Sequence, residues 1–154
     1  MQLKINNTPL FTPQILDVLE ENVYAFGKEY FTADAILKIR EQLLAGILIP
    51  RCSENAICYE IILDDATHVG DIILTPTESN EIELDIIIFL PNSGYGSTAL
   101  TKFVNHYREN YRENISAMIL NDNPISNKVE QMFIKAGFIK KEIFDNGVYL
   151  QLER

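Results

Sequence analysis

The sequence predicts one α/β domain, with a mixed and mostly antiparallel sheet and flanking helices. Three observations predict it. Apolar residues recur at helical spacing in the first third of the chain, short apolar runs divided by turn residues fill the middle, and the two patterns alternate after residue 84. With 154 residues, 47% of them hydrophobic, and with no linker or repeat, residues 1–154 are predicted to form a single domain.

The first third of the chain predicts a short strand and two helices. A strand is expected over residues 3–5. Thr12-Pro13 is a helix start, because proline is tolerated at the first helical position. A second helix is expected from Thr32, where apolar residues recur every three or four positions, and Gly46 can end it.

The remainder of the chain predicts strands first and then alternating helices and strands. The expected strands cover residues 56–63, 69–74, 82–90, 115–120, 138–144 and 148–152. One helix is expected after residue 94 and another between residues 125 and 136, with Gly137 suited to a left-handed C-terminal residue. Asp145-Asn146-Gly147 predicts the turn of a closing hairpin.

Charge excludes some classes of partner. Asp and Glu outnumber Lys and Arg by 22 to 13, which gives a formal net charge of −9. The basic residues are scattered, whereas a protein that binds duplexes usually has a basic stripe. An anionic surface is also poorly suited to anionic membranes. We therefore expect no nucleic-acid or membrane partner, and the acidity favours cationic small molecules only weakly, because solubility alone explains such a charge.

Compartment and metal content follow from short segments. Residues 1–7 lack the apolar core of a signal peptide, and no apolar run reaches the length of a membrane span. Cys52 and Cys58 do not have the spacing of metal ligands, so we expect two reduced thiols and no metal. These observations predict a cytoplasmic protein, and they leave both a monomer and a homodimer open.

The segment from Gly94 to Leu100 carries the clearest functional signal. It follows the apolar run 84–90 and opens an amphipathic stretch. Free amides and the helix dipole at a helix N-terminus attract anions, and glycines allow a ligand to approach the main chain closely. This order of strand, glycine turn and helix predicts a site for a cofactor that carries a pyrophosphate.

Two segments resemble signatures of the GNAT acetyltransferases. Residues 94–100 resemble the acetyl-CoA pyrophosphate loop, and Asn123-Pro124-Ile125-Ser126 followed by Lys135-Ala136-Gly137-Phe138 resembles the second signature. The resemblance covers residues 56–152 and is greatest to the branch that acetylates N-termini of ribosomal proteins, although that branch's Arg-Leu signature is absent. It implies acetyl-CoA as co-substrate and transfer of the acetyl group to a primary amine, on either a small molecule or a peptide N-terminus.

The resemblance also implies a set of cofactor-binding residues. The pantetheine arm would lie along the main chain of the strand end, the pyrophosphate on the glycine loop, and the rest of the cofactor against the second signature. These residues are Ile88, Phe89, Leu90, Gly94, Tyr95, Gly96, Ser97, Thr98, Asn123, Ser126 and Phe133.

Several residues are candidates for the general base or the general acid of the reaction. Glu83 and Asp85 are candidates for the base, because strand alternation puts both on one face and an apolar strand raises a carboxyl pKa. Both could instead be paired structural carboxylates. His68, Tyr95 and Tyr149 are further acid or base candidates, each with a purely structural alternative.

Two positions depart from the family pattern. Pro91 stands where the loop usually has Arg or Gln, so phosphate contacts would rest on amides and on hydroxyls such as those of Ser93, Ser97 and Thr98. Phe133 stands where many relatives have a tyrosine that acts as general acid. An alternative function is therefore a catalytically weak or inactive sensor or interaction protein that binds CoA or acetyl-CoA.

Overall fold

The computed structural model describes residues 1–23, 31–90 and 93–153, in which seven strands form one sheet. The strands are β1 (Gln2–Asn6), β2 (Ile57–Ile62), β3 (His68–Pro76), β4 (Glu81–Ile88), β5 (Asn114–Leu120), β6 (Phe138–Phe144) and β7 (Gly147–Leu152). The helices are α1 (Pro13–Glu21), α2 (Ala33–Leu44), α3 (Tyr95–Asn110) and α4 (Ser126–Lys135).

The sheet is mixed and mostly antiparallel, as predicted. Its strand order is β1-β2-β3-β4-β5-β7-β6. Every neighbouring pair is antiparallel except β4 and β5, which are parallel. A parallel pair needs a crossover connection, and α3 provides it.

Local signals explain where the first two helices begin. The Thr12 Oγ1 accepts a hydrogen bond from the Ile15 N–H at 3.2 Å, and Pro13 is the first helical residue. The Thr32 Oγ1 accepts one from the Ala35 N–H at 3.1 Å. Each hydroxyl satisfies a main-chain donor that the first turn leaves without a partner. Gly46 follows α2 with a φ of +82°, which confirms the predicted end.

The two faces of the sheet carry different hydrophobic clusters. Helices α1 and α2 cover one face. The buried residues of the cluster on this face are Ile15, Leu16, Leu19, Ile36 and Phe89. Helices α3 and α4 cover the other, which holds the larger core. Along β4, Leu84, Ile86 and Ile88 pack on the α3 side, whereas Ile87 packs on the α1 side. By alternation, Glu83 and Asp85 share the α1 side.

The parallel contact between β4 and β5 is short. The paired residues are Glu81 with Asn114, Ile82 with Ile115 and Glu83 with Ser116. Beyond Glu83 and Ser116, β4 continues to Ile88 and β5 to Leu120, but the two strands no longer pair with each other. The sheet therefore opens between its two central strands.

Candidate cofactor-binding site

A cavity of about 320 Å³ lies where β4 and β5 separate. Both strands, the start of α3 and one side of α4 form its walls. Most of the wall is apolar, and the residues that matter for the cofactor come from four places. They are Ile86, Ile88 and Leu90 at the end of β4, Met118 and Leu120 on β5, Gly94–Ser97 at the start of α3, and Met132 and Phe133 on α4.

The glycine loop forms the start of α3. Gly94 has a φ of +77°, the left-handed region that glycine adopts without strain, and α3 begins at the next residue. The N–H groups of the first turn have no acceptor within a helix, and Gly94 to Ser97 line the cavity. Together with the dipole of a 16-residue helix, these amides can bind an anion.

Gly96 has a separate, steric role. A Cβ at this position would lie 3.1 Å from the Met132 Sδ and 3.2 Å from the Ile88 Cγ1. Both side chains line the cavity. The absence of a side chain at Gly96 therefore lets α3 pack closely against β4 and α4 and keeps those side chains in their places.

The loop hydroxyls differ in their availability. The Ser93 Oγ donates to the Leu90 carbonyl at 2.6 Å, and the Thr98 Oγ1 donates to the Gly94 carbonyl at 3.3 Å. Ser93 and Ser97 line the cavity, but Thr98 does not. Pro91, which stands at the position of the Arg or Gln expected from the resemblance, lies outside the described residues.

The main chain of β4 is directed by its pairing with β3. The Phe89 N–H donates to the Val69 carbonyl at 2.8 Å, so odd-numbered β4 residues direct their main-chain groups toward β3. The even-numbered Ile86 and Ile88 direct theirs into the opening. Of the three strand-end residues expected to contact the cofactor, Ile88 and Leu90 line the cavity, whereas Phe89 is buried against α1 and α2.

The second signature lies on the β5 side of the cavity. Asn123 lines it, and the Asn123 Oδ1 accepts a hydrogen bond from the Ile125 N–H at 3.0 Å, which orders the turn before α4. Ser126 begins α4 and is not part of the wall. Phe133 is part of the wall, is 2% exposed, and meets Phe138 edge to face at 4.9 Å between ring centroids.

Asp85 is the one carboxylate among the described residues of the cavity wall. Burial, and to a lesser extent the negative charge of Glu83, raise its pKa to about 6. Glu83 itself is not part of the wall. A carboxyl with this pKa is mostly ionised at neutral pH and can still accept and release a proton, as a general base must.

The two tyrosine candidates are in different places. Tyr95 lines the cavity. Tyr149 is not in its wall, and the Tyr149 hydroxyl donates to the Glu81 carboxylate. Burial and this hydrogen bond raise the pKa of Tyr149, which makes the phenol a poorer acid.

An ion network on the α1 side was not predicted from the sequence. The Arg51 guanidinium binds the Asp71 carboxylate, with Nε to Oδ2 at 2.9 Å, and its Nη2 binds the Glu60 Oε2 at 2.5 Å. The His68 Nε2 lies 2.8 Å from the Asp71 Oδ1. Burial alone would raise the pKa of Asp71, but the hydrogen bonds from His68 and Arg51 outweigh it and lower that pKa. The available signal was a charged residue inside the apolar run 69–74.

The same network brings three potential metal ligands together. Atoms of Glu60, His68 and Asp71 lie within 4.8 Å of one another. Arg51 already contacts both carboxylates, and the Asn6 Nδ2 donates to Glu60 at 3.1 Å. These contacts satisfy the network with a cation of its own, so it is best explained as a structural ion cluster.

Comparison with solved structures identifies the architecture. The Campylobacter jejuni N-acetyltransferase PseH matches with a TM-score of 0.60 and 12% identity, over 99% of this chain and 97% of that one. The aminoglycoside acetyltransferase AAC(6')-Ib with paromomycin and acetyl-CoA matches with a TM-score of 0.62 and 15% identity, over 100% and 94%. This is the GNAT fold.

A third protein with the GNAT fold is named for a different amine substrate, spermidine. It is a chimera of the Vibrio cholerae spermidine N-acetyltransferase SpeG and hSSAT, with a TM-score of 0.58 and 13% identity over 99% of this chain and 95% of that one. No protein-family model matches the sequence, and a search of curated proteins finds no match. In the part of the chain that the structure describes, no helix is long and apolar enough to cross a membrane.

Proposed function

We propose that this protein is an acetyl-CoA-dependent N-acetyltransferase that transfers the acetyl group to a primary amine. One observation carries the proposal. In a GNAT fold, the central strands separate after Glu83 and Ser116, and the resulting cavity has helix N-terminal amides in its wall together with Asp85, the one carboxylate among the wall residues that the structure describes. It offers polar groups suited to a diphosphate and to an amine on a mostly apolar surface.

The cofactor would use the main chain more than the side chains. The diphosphate would bind the first-turn amides of α3, from Gly94 to Ser97. The pantetheine amides would pair with the main-chain groups of Ile86 and Ile88, which are directed into the opening. Asn123 and Phe133 would border the arm on the opposite side. Phe89, Thr98 and Ser126 would act indirectly, through packing and the start of each helix.

The reaction needs a neutral amine and a donor for the developing oxyanion. The amine nitrogen attacks the thioester carbonyl, its proton passes to Asp85 directly or through water, the C–S bond breaks, and the CoA thiolate takes up a proton. A main-chain N–H of β4, from Ile86 or Ile88, would stabilise the oxyanion. Positioning of the two substrates provides much of the remaining rate enhancement.

We propose that the acceptor is a small cationic amine. A peptide N-terminus is the alternative, suggested by the resemblance to the branch that acetylates N-termini of ribosomal proteins. Structures of the same fold are named for aminoglycoside and spermidine acetylation, and this chain's net charge of −9 attracts cations. We further propose a single cytoplasmic domain over residues 1–154, as a monomer or a homodimer.

Calorimetry with CoA and acetyl-CoA tests whether the protein binds the cofactor. Thiol release over a panel of amines tests whether it transfers the acetyl group. The panel contains polyamines, aminoglycosides and N-terminal peptides. Saturable binding with acetyl-CoA-dependent thiol release is expected. Absence of binding to both CoA and acetyl-CoA would overturn the proposal, because the cavity would then have no cofactor.

A sensor that binds CoA without turnover is the second candidate. Phe133, buried against Phe138 and without a dissociable proton, favours it. Its expected signature is tight binding of CoA with no thiol release above the uncatalysed rate for any amine of the panel. Acetylation of any one amine at an enzymatic rate would exclude this function.

A further inference from the structure

The cavity has a cationic wall that the glycine loop does not provide. Among the described residues of that wall, the basic side chains are Lys128 and Lys135, and both belong to α4. They are seven residues apart, about two helical turns, so they project from the same side of the helix. Gln131, between them in this row, also lines the cavity.

The other wall offers no comparable charge. Residues 93–101 contain no Lys or Arg. The first basic residue of α3 is Lys102, and its Nζ donates to the Met1 carbonyl at 2.5 Å, away from the cavity. Helix α3 therefore contributes main-chain amides and a partial positive charge to the cavity wall, whereas its Lys102 and Arg108 are not part of that wall.

Glu130, the acidic residue of α4, is neutralised on a side of the helix that does not face the cavity. Glu130 forms an ion pair with Lys140 of β6 and is not part of the cavity wall. Among the described residues of its wall, the cavity of a chain with a net charge of −9 thus has two lysines and one carboxylate, Asp85. Such a local reversal of sign favours an anionic ligand, because the remaining surface repels it.

We propose that Lys128 and Lys135 bind the phosphates of the cofactor and supply the positive charge that residues 93–101 lack. The inference rests on the proposed function, since it takes CoA as the occupant of the cavity. The α3 amides hold the diphosphate by hydrogen bonds, and the α4 lysines neutralise it and the 3′-phosphate from the facing wall. Ammonium groups bind phosphate as point charges and need no fixed bidentate geometry.

The test compares ligands that differ only in phosphate. The dissociation constants of CoA, 3′-dephospho-CoA and pantetheine are measured by calorimetry for the wild type and for Lys128→Met/Lys135→Met. The control pair is Lys38→Met/Lys141→Met, which removes the same charge from exposed positions outside the cavity. We expect the first pair to weaken CoA binding roughly tenfold or more, the order of one or two charge-assisted contacts.

The pattern across ligands distinguishes charge from shape. Pantetheine affinity should stay within about twofold, since it has no phosphate, and Lys128→Arg/Lys135→Arg should restore CoA binding. The inference is overturned if the control pair loses as much CoA affinity, or if pantetheine binding falls in parallel with CoA binding. It is also overturned if the first pair binds CoA as the wild type does. Failure of the wild type to bind CoA would instead reject the proposed function.

Folding is checked independently. Both lysines are exposed, so the melting temperature of the first pair should stay close to that of the control pair. If the melting temperature of the first pair falls, the test instead measures the affinity of the wild type for CoA at several ionic strengths. A steeper salt dependence for CoA than for 3′-dephospho-CoA is expected, and equal slopes for the two would overturn the assignment of the lysines to the 3′-phosphate.

Discussion

Glu83 on β4 and Ser116 on β5 form the last pair of the one parallel contact among the described strands. Asp85, two residues further along β4, pairs with Ile73 of β3 on one side and faces the opening on the other. The end of the ladder therefore determines which carboxylate reaches the cavity. Glu83 lies on the paired part of the strand, whereas Asp85 lies on the open part.

Asp85→Asn should stabilise the fold at neutral pH. The folded-state pKa of Asp85, about 6, is above that of an unfolded aspartate, so the folded protein binds more protons between about pH 4 and 6 and its stability falls as pH rises through this range. The variant lacks this loss. Its melting temperature should exceed the wild-type value at pH 7.5, and the difference should vanish near pH 4. An equal difference at both pH values would contradict the assigned pKa.

The same substitution should impair catalysis. If Asp85 is the base, kcat/KM of the wild type rises with pH through an inflection near 6, because the ionised carboxylate is the active form. Asp85→Asn should lower kcat/KM about 10²-fold, as expected for loss of a general base, and remove that inflection. Glu83→Gln is the matched control and should retain the inflection. A wild-type profile preserved in Asp85→Asn would assign the base elsewhere.

Gly96→Val should weaken CoA binding. The added side chain displaces Ile88 and Met132, whose atoms lie within 3.2 Å of a Cβ at this position, and narrows the cavity they line. We expect the dissociation constant of CoA to rise roughly tenfold or more, with a loss of about 1–3 kcal/mol in the free energy of unfolding from overpacking. Gly96→Ala should give an intermediate affinity. Wild-type affinity in the valine variant would show that the cofactor binds elsewhere.

Phe133→Tyr should preserve CoA binding and leave turnover the same or higher. The ring lies in the cavity wall and already packs edge to face on Phe138, so only a hydroxyl is added. A phenol there could protonate the leaving thiolate. Calorimetry and steady-state kinetics check both parts, with Phe133→Leu as a control that removes the ring. Collapse of binding in the tyrosine variant would indicate that the site has no room for a hydroxyl.

Asp71→Asn should destabilise the protein strongly. It leaves the buried Arg51 without its main partner, and breaking a buried ion pair from one side costs about 3–5 kcal/mol. Since the folded-state pKa of Asp71 is lowered, the stability from its ionised form is present above the unfolded pKa near 4 and is lost as pH falls below it. Urea unfolding at several pH values measures both effects. Arg40→Met, which removes a half-buried arginine paired with the exposed Asp17 and Glu20 carboxylates, should change stability far less.

Elements with local signals were predicted well from the sequence. The threonine caps of α1 and α2, the turn between β6 and β7, and the glycine start of α3 are decided by neighbouring residues. Residues 94–97 of the glycine loop and Asn123 of the second signature line one cavity. Contacts between residues far apart in the sequence could not be predicted, because they depend on which strands pair and in which register, and patterns along one chain do not reveal this for strands that a short turn does not join.

The ion network and the separation of roles along β4 illustrate that limit. Arg51 and Asp71 are 20 residues apart and meet only because β2 pairs with β3 and the preceding segment folds back on them. Glu83 and Asp85 look equivalent in the sequence, and so do Ile88 and Phe89. Strand pairing distinguishes each pair, since it decides where the parallel ladder ends and which main-chain groups remain free.

The order of the elements, the glycine-rich start of α3 and the acidic character of the chain could be predicted from the residues alone, because they depend on local backbone preference and on composition. The positions of Asp85 and of two α4 lysines in the cavity wall, and the exclusion of Phe89 from it, became visible only in the folded structure. Those facts depend on which strands pair, for how many residues, and which helix covers the place where pairing stops.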